Sequence, residues 1–161
     1  MIKQEGNMDI YKNHFGNDHL NLVFDSEQVK GEKMDLLLYA LNYLKTQSIF
    51  FNLTILGKVE TNYQSTRFVQ KLGIEDYVWF YGACSDEQHM NELILNADFY
   101  ISSEIWFNAE NYKQLAQCIL HKFVFRPETL NYSTLYRNFV DVYFNLESQF
   151  HLNEAYNYST M

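Results

Sequence analysis

The chain holds one proline, six glycines and two cysteines in 161 residues. That scarcity excludes collagen-like, linker-like and low-complexity sequence, all of which need Pro or Gly in quantity. Cys84 and Cys118 make neither a disulfide framework nor a four-ligand zinc pattern, and read as reduced thiols. No apolar run reaches the ~20 residues of a membrane-crossing helix. The opening MIKQEGNMDIYKNHFGNDHL has no apolar signal core, so a cytoplasmic location is expected. Cations are scarce as well. Twelve Lys and Arg against 20 Asp and Glu leave a net charge of −8, which argues against nucleic acid and against an anionic membrane surface. The Gly-x-Ser-x-Gly, P-loop, Gly-x-Gly-x-x-Gly and His-Glu-x-x-His patterns are all missing. The five histidines are scattered, and His89 and His121 read as structural.

What is present is a globular composition. Hydrophobic content is 47%, with 13 Tyr and 13 Phe, most of them inside strand and helix patterns where they pack a core. The length suits one domain. Residues 1–19 are polar and patternless, a loose lead-in, and 151–161 form a polar tail. Between them, over 20–150, strands and helices alternate. Leu20–Asp25, Phe50–Leu56, Tyr77–Tyr81, Asp98–Ser102 and Lys122–Arg126 are expected strands. Helices are expected over Glu32–Thr46, Glu60–Leu72, Ser85–Asn96 with Ser85 as N-cap, Ala109–His121 and Tyr132–Phe150. Gly73 stands where a left-handed residue would stop the second of these.

Such alternation predicts an α/β fold: a Rossmann-like, doubly wound parallel sheet of five or six strands, order 3-2-1-4-5, with helices on both faces. That winding opens a crevice between the C-terminal ends of the first and fourth strands. Its lining loops are Asp25–Gly31 and Ser102–Ala109.

From Leu72 to Ser102 the chain reads LGIEDYVWFYGACSDEQHMNELILNADFYIS. That is a helix end, a strand, a Gly turn, a Ser-Asp-Glu helix start and an Asn-Ala-Asp strand entry. Upstream stand NLTILG and KMDLLLYALNYL. In these landmarks, over roughly residues 20–126, the chain resembles family 4 glycosyltransferases of the GT-B type. The resemblance is to their C-terminal half, which holds the nucleotide sugar and faces an acceptor-binding domain. It implies a nucleotide sugar as possible substrate and glycosyl transfer as the ancestral activity.

The departures fall on the site. The family carries Gly-Arg after the first strand and a Lys five residues after the Arg, to grip a diphosphate. Anchored on Met34-Asp35-Leu36-Leu37, those positions hold Glu27 and Glu32. Lys30 and Lys33 could substitute by a one-residue shift; otherwise they are solvated lysines. The family's Gly-rich phosphate loop after the fourth strand reads Ser103-Glu104-Ile105-Trp106-Phe107-Asn108, without glycine. Glu104 or Glu110 is the candidate remnant of the family's glutamate, against a plain polar loop and first helical turn. Gly57 persists after the second strand, Gly82 ends the third, and the family's Gly-x-Pro-Val reads His121-Lys122-Phe123-Val124. Asp25, Glu27, Glu32 and Glu104 would share the crevice. A bridging Mg²⁺ or Ca²⁺ is conceivable there, but no spacing matches a metal loop, so no metal cofactor is expected. No catalytic residue is expected either.

Three functions remain open: half of a split glycosyltransferase, inactive alone; a non-catalytic interaction or stabilising domain for a partner glycosyltransferase; or a decayed fragment. Trp106 and Phe107, without a covering domain, suggest a partner or self-association.

Overall fold

A computed structural model describes residues 10–28, 31–57, 59–84, 86–102, 109–125 and 133–159, with only the backbone for 28, 31–33, 59–64, 133 and 150–159. The elements, in order, are α1 (Ile10–Phe15), β1 (Leu20–Asp25), a 3-10 turn (Ser26–Gln28), α2 (Gly31–Thr46), β2 (Phe51–Leu56) and α3 (Val59–Leu72). A second 3-10 turn (Glu75–Tyr77), β3 (Val78–Gly82), α4 (Glu87–Asn96), β4 (Phe99–Ile101), α5 (Tyr112–Val124) and α6 (Ser133–Ser159) follow.

The sheet is all parallel, in the order β3-β2-β1-β4. β1 lies in register with β2 from Leu20 opposite Phe51 to Asp25 opposite Leu56. β4 is held against β1 by a two-way clamp just before it begins. Asp98 Oδ2 accepts the Asn21 N–H at 2.7 Å, and the Asp98 N–H donates to the Asn21 carbonyl at 2.9 Å.

The two faces are unequal. Leu22, Phe24, Phe51, Leu53, Ile55, Val78 and Ile101 pack into the larger core with α2, α5 and α6. Val23 and Leu56 point the other way, into a smaller cluster with Tyr11 of α1 and Leu93 of α4. All six residues of β2 are buried, as a central parallel strand requires.

Helix ends follow local chemistry. α3 stops at Gly73, φ +72°. The Ile74 N–H reaches the Val69 carbonyl and the Gly73 N–H reaches Gln70, which is a Schellman closure. α2 closes the same way, with Ser48 at φ 63° in the glycine position. α4 is capped by Asp86, whose Oδ1 accepts from the Gln88 N–H at 3.0 Å. The expected cap, Ser85, lies outside the described residues.

Two expectations are corrected. Residues 122–124 are not part of a fifth strand but the last turn of α5. Leu115, Ala116, Ile119, Leu120 and Phe123 are all buried, so the helical period set earlier in the segment runs on through Phe123. It outweighs the strand propensity of Phe-Val-Phe. Four strands are therefore described, not five or six. The second correction concerns residues 1–19, where Ile10–Phe15 form a helix.

The path after β4 changes accordingly. A right-handed crossover to a strand outside β4 would lay its helix on the α4 face. α5 instead packs beside α2 on the opposite face. α6 joins it there through Phe139, Val142, Tyr143 and Leu146, and its backbone continues helical to Ser159.

Candidate functional site

Parallel strands end together, so β1, β2 and β3 deliver their following loops to one edge of the sheet. A cleft of about 240 Å³ opens there, lined by Asp25, Glu27, Gly57, Ala83, Cys84 and Met90; it lies on the β1, β2 and β3 side, whereas the loop expected to line a crevice between β1 and β4 falls on 103–108, outside the described residues. Asp25 ends β1 and organises the turn after it. Its Oδ1 accepts the Glu27 N–H at 3.0 Å, an Asx-type turn that needs a short side-chain acceptor at this position. Ser26 is buried between the two carboxylates, and its Oγ has no hydrogen-bond partner.

Gly57 explains that burial. Its φ is +133°, and a β-carbon on it would stand 1.8 Å from Ser26 Oγ. The glycine is needed because the β1 and β2 ends press together. Its N–H donates to the carbonyl of Gly82 at 2.9 Å. Gly82, at φ +96°, therefore positions the β2 end from outside the cleft's lining.

The proposed site residues separate. Gly57 lines the cleft, beside Asp25 and Glu27. Glu110 is exposed ahead of α5, with its N–H donating to Gln114 Oε1 at 2.7 Å, and is not among the lining residues. Lys33 lies on α2 with only its backbone described; Lys30, Glu104, Trp106 and Phe107 lie outside the described residues. Ala83, Cys84 and Met90 were not signalled by the sequence. The first two occupy the loop after β3, and Met90 reaches the lining from the start of α4, a placement that depends on how α4 docks.

Around the cleft, polar side chains tie elements together. The Tyr81 hydroxyl is hydrogen-bonded to His89 Nε2, joining β3 to α4. His89 Nδ1 stands 3.8 Å from Glu92 on the same helix. Tyr11 donates to the Leu93 carbonyl, and burial, with Asp98 and Tyr81 adding to it, pushes its phenol up. His121 Nδ1 lies 3.0 Å from the Tyr143 hydroxyl, linking α5 to α6. Burial raises the Cys118 thiol, with Lys122 opposing, which suits an inert core thiol.

The lining carries two carboxylates and no described cation. A phosphate about 4 Å from one carboxylate would be disfavoured by ~4 kcal/mol at an effective dielectric near 20. Among the described residues no group of three His, Cys, Asp or Glu could hold a metal, and no helix is long and apolar enough to cross a membrane. The sequence matches no family model, and it matches no curated protein.

Proposed function

We propose that this chain is a glycosyltransferase-like domain, the nucleotide-sugar half of a GT-B pair, silent as a catalyst by itself. The fold-level support is the 3-2-1-4 parallel sheet with positive-φ glycines at the ends of β2 and β3. Fold speaks for ancestry only, and the site must speak for activity. The observation that carries the silence is the pair Asp25 and Glu27 in the cleft at the end of β1, where a sugar diphosphate would require cations.

Calorimetry with UDP-glucose and GDP-mannose tests this. The expected result is no binding tighter than about 1 mM, roughly −4 kcal/mol. Micromolar binding by the unmodified chain would overturn the silence.

A partner-binding role is the second reading. It is favoured by Phe125 and Phe144, 56% and 47% exposed, which both contact the ring of the buried Tyr143 and so lie close together on α6's side of the molecule. Sedimentation velocity over a wide concentration range tests its self-associating form. Concentration-independent monomers that stay monomeric beside an added glycosyltransferase acceptor domain would count against it.

A further inference from the structure

We propose that the opposite, N-terminal end of the sheet carries a second binding site, for a neutral, hydroxyl-rich sugar. It does not depend on the reading of the cleft. A depression of about 470 Å³ lies there, lined by His14, Asn17, His19, Glu75, Asp76 and Tyr77 among others. That volume is in the range of small-molecule sites. The residues come from three places: the end of α1, the approach to β1, and the 3-10 turn before β3.

The lining is held in place before any ligand arrives. Asn17 Oδ1 accepts from Asn52 Nδ2 at 2.7 Å and from the His19 N–H at 3.1 Å. Asn52 is 1% exposed, so the network is anchored in the sheet. His14 stacks on Trp79 at 3.7 Å and 11°. His19 lies near-parallel to Phe50 and Tyr77, at 5.4 and 5.9 Å, and its buried Nδ1 has no partner.

The chemistry selects the ligand class. The carboxylates of Glu75 and Asp76 present acceptor oxygens. They repel phosphates and other anions and take hydroxyl donors. Partial desolvation lowers the His14 pKa, which weakens any pull of that ring on anions. The rings of His14, His19 and Tyr77 are engaged with Trp79, Phe50 and one another, so they shape the wall and the polar atoms do the recognising. A metal is disfavoured, because no three potential ligands among the described residues converge. A small organic cation would rely on two solvent-exposed carboxylates, whose attraction water and salt weaken. A sugar can donate several hydroxyls at once to the acceptors of this largely polar lining.

The test is ¹H–¹⁵N NMR of the full chain, titrated separately with glucose, maltose and cellobiose to tens of millimolar. At least one should shift amides at His14, His19, Asp76 and Tyr77 and leave Asp25 and Gly57 unmoved. The double variant Glu75→Ala/Asp76→Ala, on exposed positions, should weaken that binding about tenfold or more. Tyr77→Leu should weaken it too, whereas Glu27→Arg at the far cleft should not. Localised shifts from none of the three sugars, or shifts only at the far cleft, would overturn the proposal. So would stronger perturbation of the same residues by tetramethylammonium than by the sugars.

Discussion

Gly57 and Ser26 occupy space that leaves no room for a β-carbon between them: one built on Gly57 falls 1.8 Å from Ser26 Oγ. Gly57 also sits at φ +133°, a conformation L side chains rarely adopt. Gly57→Ala should therefore cost about 2–3 kcal/mol in urea unfolding. Ser26→Gly in the same chain should recover the steric part and leave the backbone part. No recovery in the double variant would mean that the close approach is not what Gly57 serves.

Ser48 is the reverse case. It closes α2 at φ 63° where glycine is the usual occupant. Ser48→Gly relieves about 1 kcal/mol or more of left-handed strain and gives back part of it as unfolded-chain entropy. The expected net is a gain of ~0.5 kcal/mol in urea unfolding. A loss would show that the Ser48 side chain contributes to the native state.

His14 makes stability depend on pH. Burial lowers its pKa in the folded chain, so the unfolded chain binds the proton more readily. Stability is then fully present above the ordinary histidine pKa of ~6.5 and is lost as pH falls from there through the lower folded pKa. The urea midpoint should drop between pH 7.5 and pH 5 by less in His14→Gln than in the parent. Equal drops in both would rule out His14 as a source.

Tyr81→Phe removes the bond from β3 to His89 on α4. It should cost ~1 kcal/mol and be non-additive with His89→Ala, since both act on one interaction. Additive losses would mean that the two side chains act separately.

After β1, the paired change Glu27→Arg and Glu32→Lys should improve affinity for UDP or GDP sugars measurably over the parent. Under the glycosyltransferase-like reading proposed above, both changes supply cations to a diphosphate; Glu27 lines the cleft, and only the backbone is described at Glu32. No gain would point away from the glycosyltransferase ancestry itself.

Much of the fold was legible because its signals are local. β1 coincides with the apolar run Leu20–Asp25, and the edge position of β3 follows from the winding of three βα units. Gly73 stops α3 as its φ demands. The site was legible only in part. Asp25, Glu27 and Gly57 are strand-end residues and could be placed by counting along the chain. Cys84 and Met90 come into the lining through the docking of α4, which no local pattern encodes.

The sequence by itself determined which segments are helix or strand wherever one period dominates, and that Gly73 would turn left-handed, though not that Ser48 would. It also determined that the end of β1 is acidic. At Phe123, where helical period and strand propensity compete, only the tertiary structure shows the ring packed against Phe51, Phe99 and Phe139 in the last turn of α5. It alone put α5 on the α2 face and seated Tyr11 against Leu93. It alone joined Asn17 to Asn52 across 35 residues. The reason is physical. Periodicity and φ preference act within a few residues, but the side on which a helix is buried depends on apolar partners far along the chain, and those meet only once the sheet has formed.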